Sequence, residues 1–428
     1  MRIEFYNKPR KEGLPMNLYP ILDTVSTALL LLTSICYFYQ VIYLILPLFH
    51  RAGHRAVEKN NRYAVLIAAR NEEAVLPHLL DSIAAQDYPG IIHTFVVADN
   101  CTDRTAPLAE LHGARVFQRF NREQIGKGYA LNFLLNRIDQ TEGLDNYDAF
   151  LIFDADNLLE RDYIRQMNRV VSQGYDAFCG YRNAKNFGDN WLTAGYGLWY
   201  IHDSTHMNRS RMALGTTCAV NGTGFGFTRE LLRRMGGWHF CTLTEDIEFT
   251  TWCATRGIRV GYCHDAILYD EQPTSFAVSV RQRTRWVQGG LQVSVKYAKD
   301  LLRGIFRGGR TGYASFETAT TSLWGYGMGI LSLCTALAAA YLAGRWLGLI
   351  QAILASICGA YITFFLIGAL TLATEYRRIR CSRAGKILGL LGFPLFMLSY
   401  APIAVIALFK KAQWQPIEHK AAISAADL

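Results

Sequence analysis

The amino-acid sequence predicts an α/β domain, with a mostly parallel sheet and helices on both faces, attached to about four membrane-spanning helices. From Tyr63 onward, short apolar runs alternate with stretches of helical periodicity, which is the pattern of repeated βαβ units. Long hydrophobic runs flank this region on both sides. The composition agrees, because 51% of the 428 residues are hydrophobic and only 18% are charged, fewer than in a typical soluble protein.

The hydrophobic runs predict where the chain crosses a membrane. The first, Ile21 to Leu48, is long enough to span a hydrocarbon core of about 30 Å, so we expect a transmembrane helix over residues 21–49 after an N-terminal tail, 1–20. It is too long for a signal peptide, and no small-residue cleavage site follows it. Three further transmembrane helices are expected within residues 314–409, before a C-terminal tail, 410–428. Their runs cover roughly residues 314–342, 346–373 and 387–409.

The distribution of charge predicts the orientation. The link between the last two runs, Glu375 to Arg383, carries four arginines, and loops of this kind face the cytoplasm. Counting back through the chain puts residues 50–313 on the same side of the inner (plasma) membrane. The net charge of +9 fits such membrane-flanking residues, so we do not expect a nucleic-acid partner. The 10 cysteines form no Cys-x-x-Cys pair, which indicates reduced thiols in the cytoplasm.

The segment 287–313 mixes basic and apolar residues just before a predicted span. Five basic residues lie among apolar ones there, which favours an amphipathic helix on the inner membrane surface: Lys296, Lys299, Arg303, Arg307 and Arg310. An ordinary solvated helix of the globular domain is the alternative.

The central domain, predicted over residues 50–286, presents carboxylates where α/β sheets bind ligands. In such sheets ligands lie beyond the carboxyl ends of the strands. Asp99 and Asp154 each follow a predicted strand directly. The strands are expected at residues 63–68, 94–98, 114–117 and 149–153, and the helices at 74–86, 105–111, 129–137 and 162–173.

A diphosphate-binding site without a glycine loop requires other ligands. The sequence has no Walker motif, and Gly126-Lys127-Gly128 is not a dinucleotide fingerprint. Asp154-Ala155-Asp156 can turn two carboxylates toward one ion, and hard oxygen ligands suit Mg²⁺ or Mn²⁺ bridging phosphates. Capping of the next helix is the alternative role of these acids.

Six motifs occur in the order found in the membrane-embedded glycosyltransferases of family 2, and the resemblance covers about residues 60–290. This family includes cellulose, chitin, hyaluronan and poly-N-acetylglucosamine synthases, and the resemblance implies a GT-A type fold. The motifs are Val65–Glu72, Val96–Asp103, Gly126-Lys127-Gly128, Asp154-Ala155-Asp156, Thr244-Glu245-Asp246 and Gln282–Trp286.

The resemblance implies a donor site for a UDP-sugar. Asp99 would contact the uracil base, and Lys127 would approach the diphosphate as a point charge. Asp154 and Asp156 would be the metal ligands, Asp156 the chief one and Asp154 nearer the nucleotide. The nucleotide pocket would also be lined by Ala69, Asn71 and Glu72.

The resemblance also implies the residues of catalysis. Asp246 would be the general base that removes the proton of the acceptor hydroxyl, with Glu245 shaping and orienting it. Gln282 and Arg285 would clamp the leaving group, and Trp286 would form a wall for the acceptor sugar. A membrane-interface anchor is the alternative role of Trp286.

A glycine-rich segment, Asn221 to Gly226, resembles the acceptor loop of the same family, where backbone can approach a sugar closely. Its acceptor-binding residues would be Gly222, Thr223 and Gly224. A flexible connection between sheet elements is the alternative.

The resemblance, together with the predicted spans, implies an inverting, metal-dependent β-glycosyltransferase that uses a UDP-sugar at the inner membrane. We expect a growing polysaccharide as the acceptor, with possible export of the chain and a possible oligomer or export partner. The alternative is a single addition to a membrane lipid. A catalytically silent scaffold is disfavoured, because every expected carboxylate is present.

Overall fold

A computed structural model describes residues 18–49, 59–321 and 325–410. Its strands are β1 (Tyr63–Ala69), β2 (Ile92–Asp99), β3 (Arg115–Arg119), β4 (Ala149–Asp154), β5 (Leu158–Leu159), β6 (Ala177–Ala184), β7 (Phe225–Thr228) and β8 (Val260–Asp270). The helices of the domain are α3 (Leu76–Ala84), α4 (Thr105–Leu111), α5 (Lys127–Thr141), α6 (Tyr163–Ser172), α7 (Trp191–His202), α8 (Arg209–Leu214), α9 (Arg229–Met235), α10 (Glu245–Thr255), α11 (Phe276–Lys296), α12 (Ala298–Arg307) and α13 (Gly309–Ala319). The apolar helices are α1 (Leu18–Tyr37), α2 (Tyr39–Phe49), α14 (Gly325–Ala343), α15 (Trp346–Glu375), α16 (Arg383–Leu398) and α17 (Tyr400–Phe409).

One mixed eight-stranded sheet organises the domain, in the order β3-β2-β1-β4-β7-β6-β8-β5. Strands β3, β2, β1 and β4 run parallel to one another, as predicted. β7 is antiparallel to both β4 and β6, whereas β6 and β8 are parallel. The parallel half therefore gathers the ends of β1, β2 and β4 at one edge, which is where the sequence places its carboxylates.

Helices cover both faces of this sheet, because side chains alternate along each strand. In β1, Ala64 and Leu66 belong to one buried apolar cluster, while Val65 and Ile67 belong to the cluster on the opposite face. Helices α5, α9 and α10 contribute to the first cluster, and α3 and α6 to the second. A third cluster joins α7 to the apolar helices α15 and α16.

Three helical segments are long and apolar enough to cross a membrane: Pro20–Phe49, Trp346–Glu375 and Arg383–Phe409. They correspond to the first, third and fourth predicted spans. The predicted tails and residues 50–58 lie almost entirely outside the described residues.

The second predicted span, residues 314–342, is divided in the structure. Its beginning belongs to α13, which packs on the domain, and its remainder to the shorter apolar helix α14. The physical reason is Glu317, whose carboxylate is buried and accepts a hydrogen bond from Arg211 Nε at 2.7 Å. Ser315 packs closely against Gly304 of α12, which also ties α13 to the domain.

The segment 287–313, predicted as one amphipathic helix, is divided among α11, α12 and α13. Two of its basic residues bind the domain: Lys296 pairs with the buried Glu248, and Arg307 Nη1 donates to Thr255 O at 3.1 Å. On α12, Phe306 is 87% exposed and lies beside basic side chains, so a membrane-surface role for this helix stays a prediction.

Replacing Glu317 by Gln is expected to lower the thermal stability of the protein. The change removes the nearer of the two carboxylates beside the buried Arg211 guanidinium and leaves Asp203 Oδ1 at 3.6 Å, and breaking a buried ion pair costs up to about 3–5 kcal/mol. Thermal unfolding of the purified protein measures the effect. Asp300→Asn, which breaks an exposed pair with Arg303, should change the midpoint little, since such pairs contribute about 0–1 kcal/mol. Equal midpoints for the two variants would contradict the assignment.

Candidate active site

A cavity of about 610 Å³ lies at the carboxyl ends of β1, β2 and β4. Pockets for small molecules and cofactors have about this size. The structure brings most of the predicted site residues together in its wall. These are Ala69, Glu72, Asp99, Lys127, Asp154, Asp156, Gly222, Glu245, Asp246, Gln282, Arg285 and Trp286.

One end of the cavity is formed where β1 and β2 finish. Ala69 is the last residue of β1, and Asp99 is the last residue of β2. The carboxylate of Asp99 is held by a buried arginine, Arg119, whose Nη1 donates to Asp99 Oδ1 at 2.6 Å. Sequence reasoning missed Arg119, although it ends the neighbouring strand β3 in register with Asp99.

Asn71 does not line the cavity, contrary to the prediction. Its backbone has a left-handed conformation, with φ of 57°, and its Oδ1 accepts a hydrogen bond from Thr102 N at 2.8 Å. The side chain therefore joins the turn after β1 to the turn after β2, the kind of role that Asn often has in turns.

The predicted metal motif follows β4 and is held by a lysine from another element. Lys127 begins α5, and its Nζ donates to Asp154 Oδ1 at 2.5 Å and to Gly222 O at 2.6 Å. Asp156 is buried, and its Oδ2 accepts the backbone N–H of Glu271 at 2.9 Å. Both aspartates line the cavity, so their carboxylate oxygens share the same space at the end of β4.

The donor set fits a divalent cation that arrives with a diphosphate. Among residues 18–49, 59–321 and 325–410, no group of three or more His, Cys, Asp and Glu side chains is arranged to hold a metal. Mg²⁺ in nucleotide enzymes is usually held by one or two carboxylates, with phosphate oxygens and water completing its shell. Asp154 and Asp156 supply two such carboxylates, and Lys127 supplies a fixed positive charge beside them.

Two adjacent carboxylates stand at the start of α10. Burial, reinforced by the negative charge of Asp246, raises the pKa of Glu245 to about 7. Burial also raises the pKa of Asp246, opposed by the backbone N–H of Ile247 and the charge of Lys127. Lys127 Nζ lies 3.9 Å from Glu245 Oε1. The pair can therefore hold one proton near neutral pH and leave the other carboxylate ionised.

The glycine-rich segment contributes less of its length to the cavity than the sequence predicts. Gly222 lines the cavity with φ of 79°, and a Cβ built there would lie 3.7 Å from Asp246 Oδ2. At this position the loop therefore presents backbone and no side chain to the carboxylate of Asp246.

Thr223 and Gly224 do not line the cavity, which differs from their predicted contact with the acceptor. Thr223 Oγ1 is buried and accepts the backbone N–H of Asp154 at 2.9 Å, so it fastens the loop to the metal motif. Gly224 is enclosed by the sheet, because a Cβ there would lie 1.8 Å from Leu268 Cδ2. Its carbonyl accepts the hydroxyl of Tyr163 at 2.9 Å.

Helix α11 presents three predicted residues on one face, since Gln282, Arg285 and Trp286 are three and four residues apart. Gln282 Oε1 accepts the hydroxyl of Tyr196 at 3.1 Å, and Arg285 Nη1 donates to Leu243 O at 2.6 Å. These two hydrogen bonds hold this face of α11 toward the cavity.

Sequence reasoning missed a second pair of charges in the cavity wall. Arg182 Nε donates to Asp270 Oδ2 at 2.8 Å, and its guanidinium lies 3.7 Å from the ring centre of Tyr200. Burial raises the pKa of Asp270 to about 6, although Arg182 opposes the shift. Their position in the sequence was the available signal: Asp270 ends β8 and is followed by Glu271, just as Asp154 ends β4 and is followed by Asp156.

Comparisons with known proteins agree with this fold. Residues 60–289, more than half of the chain, match the family model described as glycosyltransferase like family 2. A mannosyltransferase from Pyrobaculum calidifontis, solved in complex with GDP-Man and Mn²⁺, is similar over 91% of this chain and 99% of its own, with a TM-score of 0.57 and 19% identity. This likeness confirms the predicted GT-A type fold with helices on both faces of the sheet.

Curated relatives align with the same part of the chain. A beta-monoglucosyldiacylglycerol synthase of Synechocystis sp. is 30% identical over 54% of this chain and 48% of its own length. An N-acetylglucosaminyltransferase of Rhizobium leguminosarum bv. viciae is 25% identical over 52% of this chain and 54% of its own. The chain thus spans about half the length of these relatives. On the match over residues 60–289, the chain belongs to glycosyltransferase family 2.

Proposed function

We propose that the protein is an inverting, metal-dependent β-glycosyltransferase that transfers one sugar from a UDP-sugar to a hydroxyl group of a membrane lipid. The observation that carries the proposal is how close the cavity lies to a candidate span. The ring of Trp286 lies 5.9 Å from that of Tyr196, which lies 4.7 Å from that of Phe396 in α16. An acceptor in contact with Trp286 would therefore be held next to the bilayer.

The packing of the spans favours a lipid over the exported polysaccharide that the sequence analysis put first. A passage for a polymer needs helices that bury their faces against one another around it. Only 11%, 6% and 33% of the most apolar stretch of the three candidate spans is buried within the described residues. The Synechocystis relative is named for a glycolipid product, which supports the same choice.

The donor would occupy the end of the cavity at the carboxyl ends of β1, β2 and β4. Asp99 would receive the base, and Lys127 would neutralise part of the diphosphate charge. A bound Mg²⁺ or Mn²⁺ would supply the remaining positive charge as the diphosphate leaves. Asp154 and Asp156 are the residues that would hold it, and Arg285 is placed to donate to phosphate oxygens.

The acceptor would be activated by one carboxylate. A hydroxyl group is a weak nucleophile until a base takes its proton. Asp246 faces the cavity next to the bare backbone of Gly222, so an acceptor oxygen can reach it without meeting a side chain from the loop. Glu245 and Asp246 would share one proton near neutral pH, which leaves a negative charge beside the acceptor hydroxyl. A single base and no enzyme nucleophile lead to inversion at the sugar carbon.

We infer that the active site lies on the cytoplasmic side of the inner membrane, where nucleotide sugars are found. The four arginines in the link between α15 and α16, residues 375–383, support this orientation, because cytoplasmic loops are enriched in basic residues.

Asp156→Asn is expected to abolish transfer and to remove the metal dependence of UDP binding. The carboxamide keeps the shape of the side chain but cannot supply the charge that holds a divalent cation. Calorimetric titration of UDP with Mn²⁺ and with excess chelator measures this effect. Asp265→Asn is the matched control and should behave as wild type. Asp265 is an exposed residue of β8 that pairs with Arg378 outside the cavity. Metal-dependent binding that persists in Asp156→Asn would show that the metal assignment is wrong.

Asp246→Asn should separate binding from chemistry. The amide is nearly isosteric but cannot accept the acceptor proton, and a positioned general base typically contributes about 10²–10⁴ in rate. We expect kcat to fall by this order while the Kd of UDP stays within a few-fold of wild type. Turnover that remains within a few-fold would show that Asp246 is not the base, and Glu245→Gln is the next variant to test.

The acceptor can be identified in vesicles that contain the full-length protein with its domain outward. We expect a panel of labelled UDP-sugars to yield a product that is extracted into organic solvent and carries one sugar per lipid. Asp246→Asn vesicles give the background. A long, water-soluble product protected inside the vesicles would instead support a polysaccharide synthase and overturn the lipid proposal.

A further inference from the structure

We propose that Arg119 selects a uracil base by holding the carboxylate of Asp99 so that only one of its oxygens faces the bound nucleotide. Arg119 is thus a positioning residue, acting through Asp99. The inference rests on the proposed function, because it assumes a nucleoside diphosphate sugar in the cavity.

The two residues form a buried ion pair behind the cavity wall. Asp99 and Arg119 end the neighbouring strands β2 and β3 in register. Arg119 Nη1 lies 2.6 Å from Asp99 Oδ1, and the two side chains are only 5% and 8% exposed. Asp99 lines the cavity and Arg119 does not. The guanidinium therefore contacts the carboxylate from outside the cavity wall.

One oxygen of Asp99 is fully engaged and the other is not. Oδ1 accepts hydrogen bonds from Arg119 Nη1 and from Asn100 Nδ2, the latter at 3.2 Å. Within the described part of the chain, Oδ2 has no hydrogen-bond partner. Arg119 cannot follow a turning carboxylate, because its Nη2 donates to Gln124 O at 2.8 Å. If the carboxylate turns over, its two oxygens simply exchange places, and one of them still faces the arginine.

A single free carboxylate oxygen can distinguish the bases, because they present different numbers of hydrogen-bond donors. Uracil presents one imide N–H between two carbonyl oxygens, so one carboxylate oxygen satisfies it. Guanine presents two neighbouring donors, which need both oxygens of a carboxylate. Cytosine presents an acceptor at the same ring position, which a carboxylate repels. An Asp99 fixed by Arg119 therefore fits uracil and leaves one donor of guanine unsatisfied, and an unsatisfied donor in a buried site weakens binding.

The first test measures the Kd of UDP, GDP and CDP for the full-length protein with Mn²⁺ by calorimetry. In Arg119→Met, Oδ1 of Asp99 keeps only its longer contact with Asn100 Nδ2, at 3.2 Å, so both oxygens can turn toward a ligand. We expect the preference for UDP over GDP to fall by about tenfold or more, the effect of a hydrogen bond to a charged group. Arg115→Met is the control: it lies on the same strand, and its ion pair with Glu142 is half exposed. The control should keep the wild-type preference.

The second test reverses the polarity at Asp99. In Asp99→Asn, Arg119 should hold the amide oxygen, so the amide NH₂ must face the nucleotide. That group donates, which suits the ring acceptor of cytosine and opposes the imide N–H of uracil. We expect the preference to change from UDP to CDP. In the double variant Asp99→Asn with Arg119→Met, the amide can turn either way, and the preference for CDP should disappear.

The outcomes distinguish this inference from the proposed function. A wild-type protein that binds no nucleoside diphosphate would overturn both. Wild type that binds UDP, with an unchanged UDP-to-GDP ratio in Arg119→Met, would overturn the inference alone, as would wild type that binds GDP as tightly as UDP. If Arg119→Met fails to fold, as thermal unfolding would reveal, the isosteric Asp99→Asn decides: a preference for CDP supports the inference, and its absence overturns it.

Discussion

A single ammonium group holds the candidate site together. Lys127 Nζ contacts the carboxylate of Asp154 and the carbonyl of Gly222, and it lies within ion-pair distance of Glu245. These groups come from the end of β4, the glycine-rich loop and the start of α10. Burial alone would lower the pKa of Lys127, but the charges of Asp154 and Glu245 outweigh it and raise the pKa. Without this cation, the carboxylates would repel one another across the cavity.

A second series of buried contacts connects the glycine-rich loop to the first candidate span. Asn221 Nδ2 donates to Asp203 Oδ2 at 2.6 Å, and Asp203 Oδ1 lies 3.6 Å from Arg211 Nη1. Arg211 binds Glu317, which also accepts the hydroxyl of Tyr43 in α2 at 3.0 Å. The loop beside Asp246 is therefore positioned partly by an apolar helix. Its geometry depends on packing against the span as well as on the sheet.

The local periodicities predicted the parallel half of the sheet well, because β1 and β4 are almost wholly buried apolar runs and β2 is buried from Phe95 onward. They also located the carboxylates, since ligand sites gather at the ends of such strands. What they missed depends on partners far away in the chain. The apolar run that contains Glu317 was predicted to span the membrane, because the sequence does not show that Arg211, 106 residues earlier, binds its carboxylate. Gly224 was predicted to contact the acceptor, because the sequence does not show that Leu268 encloses it.

The cavity is held at a fixed position relative to the candidate spans by an unusual buried charge. Arg283 lies on α11 outside the cavity wall, is 0% exposed, and donates from Nη1 to Ser399 Oγ at 2.7 Å. No carboxylate pairs with it among the described residues, and its guanidinium lies 4.7 Å and 4.8 Å from the ring centres of Phe396 and Tyr400.

Burying an unpaired cation is costly, although contact with aromatic faces offsets part of that cost. The hydrogen bond from Arg283 to Ser399 rigidly connects α11 to the junction of α16 with α17. Trp286, one helical turn further along α11, therefore stands at a set depth beside those helices. A lipid headgroup presents its hydroxyl groups at a depth fixed by the bilayer. Under the proposed function, Arg283 therefore holds Trp286 at the depth in the bilayer where the hydroxyl groups of the acceptor lie.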